Sequence, residues 1–228
     1  MNLQGYNKPT PTEGKKESII QTTHKIMRTI EQHIYRYDEL SEQAQEVAIE
    51  SMRDENSSVR IESDSEEYRN TLDKIEHIFG VKVYDWSVDE YNYYFRFDFT
   101  NIDEDTENEP RLLLRYLNTN ILPCIDNKKR YYSKTSRASR KSRILSNNSY
   151  EYCLTGCWCD DAIDNALNNI NQSVKKHLNA REFVESLLEG FFEQWRNDCE
   201  YACSDECIAE DIEANDYEFY EDGKPYFA

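Results

Sequence analysis

Residues 65–99 read SEEYRNTLDKIEHIFGVKVYDWSVDEYNYYFRFDF, and three patterns follow one another within them. Tyr68, Leu72, Ile75 and Phe79 recur at steps of four, three and four, which places apolar side chains on one face of a helix. Gly80 stands where that helix stops, because glycine adopts the left-handed backbone of a C-cap without steric cost. Val81, Val83 and Asp85 then alternate with Lys82, Tyr84 and Trp86. Tyr91, Tyr93, Phe95, Phe97 and Phe99 occupy every second position, the period of a strand with one face buried. Two strands that follow one another directly after a helix favour an antiparallel pair covered by helices.

Outward from this stretch the same reasoning assigns the rest. Residues 1–26 read as a polar N-terminal extension, with a short helix expected over 17–28. Ile30, Gln32, Ile34 and Arg36 share one face of a mixed strand. Ser41 reads as an N-cap for a separate helix with the stripe Ala44, Val47, Ala48 and Met52. Downstream, Asp103-Glu104-Asp105 leads into a helix with Pro110 in its first turn. Residues 144–158 contain an apolar run expected to form a strand ending near Gly156. A helix carrying Ala162, Ile163, Ala166 and Ile170 follows. Residues 181–203 are expected to form the longest helix, and Ser204 opens another with Ile208 and Ile212. Asp222-Gly223 predicts a C-terminal hairpin over 217–227, with Pro225 restricting the second arm to an edge. The expected fold is α+β: a small, mostly antiparallel sheet packed with several helices, in a single domain over 27–228 with a basic loop at 128–143.

The chain has 228 residues, with 27 Lys and Arg against 45 Asp and Glu, a net charge of −18. Its aromatic content of 13% argues against disorder, since disordered chains are poor in aromatics. No apolar run is long enough to span a membrane, and the N-terminal residues lack the apolar core of a secretory signal. A cytoplasmic location and no membrane partner are therefore expected. The six glycines form neither a phosphate-binding nor a dinucleotide-binding loop, and no G-x-S-x-G elbow occurs. His24, His33, His77 and His177 lie too far apart for a helical zinc-binding pair. With so many carboxylates, almost any spacing arises by chance, so no residue is singled out as catalytic. The expectation is a non-enzymatic protein without a cofactor.

Three features bear on function. Residues 198–228 hold 11 acids against Lys224, and residues 85–109 hold nine against Arg96. Dense carboxylates attract basic grooves and imitate a row of phosphates to a nucleic-acid-binding protein, whereas an ordinary acidic run is simply a solvated face. Asp205, Glu206, Glu210, Asp211 and Glu213 are the candidate partner-binding residues. The second feature is the segment KKRYYSKTSRASRKSR at 128–143, with eight bases and no acid; without it the chain carries 19 bases against 45 acids. Guanidinium groups hold phosphates and aromatic rings stack on bases, which suits RNA or single-stranded DNA. Lys128, Lys129, Arg130, Tyr131, Tyr132, Lys134, Arg137, Arg140, Lys141 and Arg143 are the candidate nucleic-acid-binding residues; pairing with the chain's own acids is the alternative. The third is cysteine placement. Cys153, Cys157 and Cys159 form one cluster, Cys199, Cys203 and Cys207 another, and Cys124 lies elsewhere in the sequence. Neither spacing matches a standard zinc site. Cys199 and Cys203 share a helical face, as a metal pair would, but Cys199 also continues an apolar stripe, so reduced, metal-free thiols are expected.

Three segments, YDELSEQAQEVAIES (37–51), YEYCLTGCWCDDAI (150–163) and SDECIAEDIEANDYEFYEDGK (204–224), together resemble an uncharacterised family of small acidic proteins encoded by bacteriophages and prophages. The resemblance covers most of 27–224 and carries over no catalytic residue. It implies a phage protein acting in the host cytoplasm on a host nucleic-acid-binding protein or a defence nucleoprotein complex, as anti-CRISPR proteins do. In that reading the acidic face docks on a basic partner and the basic loop touches nucleic acid. The alternatives are an RNA- or single-stranded-DNA-binding accessory protein and a metal- or carboxylate-dependent enzyme.

Overall fold

The computed structural model describes residues 32–125 and 149–227. The expected extension 1–26, the helix at 17–28 and the basic loop 128–143 lie outside the described residues. The architecture is α+β, in the order β1 (Tyr35–Arg36), α1 (Glu42–Phe79), β2 (Val81–Val88), β3 (Tyr93–Phe99), α2 (Glu104–Asn108), α3 (Leu113–Tyr116), α4 (Leu122–Ile125), α5 (Asp161–Asn168), α6 (Ile170–Lys175), α7 (Ala180–Ala202), α8 (Asp205–Ala214) and β4 (Glu218–Phe219). The strands form two separate antiparallel ribbons, β1–β4 and β2–β3, rather than one sheet.

The two helices expected over 41–52 and 65–79 are a single helix of 38 residues, which displaces residues 181–203 as the longest. The Ser41 side chain accepts from the Ala44 N–H at its start. Gly80 ends it at φ +62, where a Cβ would also collide with the Asn101 side chain. Between the two apolar stripes, residues 53–64 read RDENSSVRIESD and carry no stripe of their own, so periodicity alone breaks the helix there.

The two ends of α1 are buried in different clusters. Tyr68, Leu72, Ile75 and Phe79 pack with the inner face of β2–β3 and with α7. Register places Val81 opposite Phe99 and Val83 opposite Phe97. A bulge between Tyr84 and Ser87 accommodates Asp85 at φ +50. The aromatic row on β3 alternates as its period requires, although only Phe97 is fully buried and Phe95 is half-buried. Phe95 stacks on Phe192 at 4.9 Å, and Tyr68 stacks on Trp195 at 5.0 Å. At the other end, Ala44, Ala48 and Met52 pack with Ile208, Ile212 and Phe219. The β1–β4 ribbon closes this second cluster through the pairs Tyr35–Phe219 and Arg36–Glu218. The expected C-terminal turn is present, with Gly223 at φ +82 donating to the Tyr220 carbonyl. The second arm contributes a bridge between Phe219 and Pro225. A Cβ at Gly223 would lie 2.1 Å from the Ala44 carbonyl oxygen, so the turn abuts α1 at a point open only to glycine.

The expected strand over 144–158 is absent from its described part, residues 149–158, and the reason is two buried carboxylates. Five consecutive backbone N–H groups turn toward them. Tyr152 and Cys153 donate to Asp164, and Leu154, Thr155 and Gly156 donate to Asp160 at 2.8, 2.7 and 3.1 Å. The Thr155 hydroxyl adds a bond of 2.9 Å to Asp160. Donors that a strand would spend on a neighbour are spent on carboxylates, and the segment becomes a turn with Tyr152 and Gly156 at positive φ.

Pro110 does begin a helical run, but as a 3-10 turn, Pro110–Leu112, after a short helix capped by Asp103. The run continues through α3, a π-helical turn over Leu117–Ile121 and α4. The Tyr116 hydroxyl donates to the Phe79 carbonyl at 2.6 Å, tying this run to the end of α1.

Two stability measurements test this account. Phe192 is fully buried among Trp86, Phe95 and Trp195, so Phe192→Ala should cost about 3–5 kcal/mol in urea unfolding. A loss below about 1 kcal/mol would mean that the aromatic stack does not organise the core. Asp160→Ala leaves the partly buried Leu154, Thr155 and Gly156 N–H groups without their acceptor and should cost about 3 kcal/mol. A variant as stable as the parent would show that the turn holds without its carboxylate.

Candidate interaction surface

Helix α8 begins at Ser204, whose hydroxyl accepts from the Cys207 N–H at 3.2 Å. Its apolar side, Cys207, Ile208 and Ile212, is buried against the first half of α1. Two arginines of α1 fix it there. Arg53 donates to the Cys203 carbonyl at 2.7 Å, an acceptor at the end of α7, and to Asp205 at 2.6 Å. Arg60 reaches Asp211 at 3.3 Å and lies over the Tyr201 ring at 5.6 Å from its centroid. The Tyr201 hydroxyl donates to Glu210 at 3.0 Å.

The five carboxylates proposed for partner binding therefore divide. Asp205 and Asp211 are bound to arginines of α1, and Glu210 accepts from a tyrosine. Glu206 and Glu213 are exposed and make no ion pair among the described residues. Past the end of α8, Asp216 reaches Arg36 at 3.9 Å, and Arg36, Tyr37, Asp38, Ile212, Glu213, Asp216 and Tyr217 line a cleft of about 240 Å³. Burial, followed by the nearby Glu213 and Asp205, holds the Tyr37 hydroxyl above its ordinary pKa.

The acidic run 85–109 is likewise partly committed to internal pairs. Asp98 and Glu107 converge on Arg181 at 3.4 and 3.3 Å, and the Arg181 guanidinium lies 5.0 Å from the Phe97 ring centroid. Asp85 faces Arg96 at 3.4 Å. Arg96 belongs to the run it neutralises, but the pairing of the acids with Arg53, Arg60 and Arg181 has no signature within the runs themselves. For Arg53 and Arg60 a signal exists: they stand seven residues apart, two helical turns, on the same side of an otherwise acidic stretch.

Among the described residues, no group of three or more His, Cys, Asp or Glu is placed to hold a metal ion. Cys199 and Cys207 are buried and Cys203 is half-buried. Burial raises the Cys199 and Cys203 thiols to about 11, so ligation would have to overcome their preference for the protonated form. A second cavity, of about 590 Å³, lies between α5–α6 and α7 and is lined by amides and small residues such as Asn165, Gln172, Ser186 and Gly190. Among the described residues, no helix is long and apolar enough to cross a membrane. The ten candidate nucleic-acid-binding residues, Lys128 to Arg143, lie outside the described residues. No family model, no curated protein and no solved structure matches the chain.

Proposed function

We propose that the protein is a non-enzymatic interaction protein of the host cytoplasm whose acidic α8 surface docks on a basic partner. The observation that carries this reading is the anchoring of α8. Arg53 and Arg60 hold Asp205 and Asp211, so Glu206, Glu210 and Glu213 stand on a fixed helix facing solvent, with Glu218 and Glu221 beyond them in sequence. Carboxylates pre-positioned in this way lose little conformational freedom on meeting cations, and their field steers a basic surface toward them. The resemblance to phage-encoded acidic proteins supports a host nucleic-acid-binding protein or defence nucleoprotein complex as that partner. The segment 128–143 supports a second contact, with RNA: a compact block of bases and tyrosines is what a single strand requires.

Replacing Glu206, Glu210 and Glu213 together with Lys tests the acidic surface while sparing the carboxylates that seat α8. The variant should fold normally and fail to retain, from nuclease-treated bacterial lysate at low salt, the basic protein that the parent retains. Equal retention by parent and variant would return α8 to the status of a solvated face.

Replacing Arg137, Arg140, Lys141 and Arg143 with Ala tests the second contact. Affinity for a single-stranded RNA oligonucleotide should fall, and its log–log salt slope should shrink by about 0.7 for each phosphate that is no longer neutralised. A parent chain with no RNA affinity, or a variant with the parent's slope, would remove RNA as a partner.

A further inference from the structure

The turn organised by Asp160 carries two thiols that the docking surface does not use. Cys157 and Cys159 flank Trp158 at the 3-10 turn Trp158–Asp160, and their sulfurs are 3.8 Å apart. Both are unbridged; Cys157 is half-buried and Cys159 fully buried. Burial, and then the neighbouring Cys157, push the Cys159 thiol well above its ordinary pKa. The pair thus joins a half-buried cysteine to a fully buried one beside it.

Trp158 couples this pair to the core. Its indole N–H donates to Asp198 at 3.2 Å, and its carbonyl accepts from Gln194 at 3.0 Å. The other end of Gln194 accepts from the Ala162 N–H at 3.1 Å. The same Asp198 oxygen accepts from the Tyr68 hydroxyl at 2.5 Å, at the buried stack of Tyr68 on Trp195.

We propose that Cys157 and Cys159 form a reversible thiol–disulfide site, oxidised by low-molecular-weight disulfides and restored by the corresponding thiols. The Cys157 sulfur, as thiolate, attacks one sulfur of the small disulfide; a mixed disulfide forms and one small thiolate leaves. The Cys159 thiol attacks the Cys157 sulfur and passes its proton to the second small thiolate as that leaves. Two protein thiols give up two electrons and two protons, and the small disulfide departs as two thiols. Closing the sulfurs from 3.8 Å to the bonding distance of about 2.05 Å tightens the turn across Trp158. That movement draws the indole away from Asp198, and the state of the thiols is thereby read at α7.

The test uses the full chain, equilibrated with oxidised and reduced glutathione over a range of ratios, blocked with N-ethylmaleimide and cut with chymotrypsin, which cleaves after Trp158. The pieces bearing Cys157 and Cys159 should remain joined until a reductant is added. Oxidation should also shift an indole emission component that Trp158→Phe abolishes. Cys159→Ser should stall with glutathione on Cys157, whereas Cys157→Ser should leave Cys159 unmodified. The proposal is overturned if the two pieces separate without reductant at every ratio, if Cys157 is found joined to Cys153 instead, or if the emission of Trp158 is the same in both redox states.

Discussion

A helix of 38 residues is about 57 Å long, and no single cluster of side chains in a chain of this size covers its whole length. The organisation around α1 follows from that constraint. Its C-terminal half is covered by the elements that come next in sequence, β2, β3 and later α7. Its N-terminal half has no sequence neighbour to cover it and takes α8, β4 and β1 instead. Between the two, Asn56 and Ser57 are largely buried without belonging to either apolar cluster, and the arginines on either side of them carry the contact to α8.

Acidity in this protein is also a means of construction. Asp160 and Asp164 gather the backbone donors of a whole turn. Asp205, Asp211, Asp98 and Glu107 accept from arginines that fasten one element to another. The buried Asp160 and Asp164 accept two or more hydrogen bonds each, which offsets the cost of taking charge out of water, whereas Asp205 and Asp98 stay largely exposed beside their arginines. The remainder face solvent on elements already fixed by the inner set. A net charge alone does not separate these two populations; geometry does.

Much of the framework was legible because it rests on local signals. Gly80, the alternation of β3, the caps at Ser41 and Ser204 and the helix expected over 181–203 rest on signals within a few residues of themselves, and each appears where its pattern requires. The misreadings fall where side-chain partners, rather than apolar periodicity, decide the backbone. The middle of α1 is helical because its two ends are held, one by the adjacent β2–β3 together with α7 and the other by the remote α8 and β4, while residues 53–64 show no apolar period. The segment 149–158 has the composition of a strand, and only the placement of Asp160 and Asp164 beneath it turns its donors inward. The division of the α8 carboxylates into anchored and free depends on Arg53 and Arg60, about 150 residues earlier in the chain.

The pairing of Tyr35 and Arg36 with Phe219 and Glu218 joins the two ends of the described chain. During synthesis on the ribosome, the first half of α1 emerges long before Ile208, Ile212 and Phe219 exist to cover Ala44, Ala48 and Met52. Those apolar side chains must wait, exposed, until residues 208–219 have been translated, whereas Phe79 meets Val81 and Phe97 almost at once. The order of translation therefore starts one core early and leaves the other uncovered until α8 and β4 have emerged, with the N-terminal half of α1 as the stretch most in need of a chaperone in the interval.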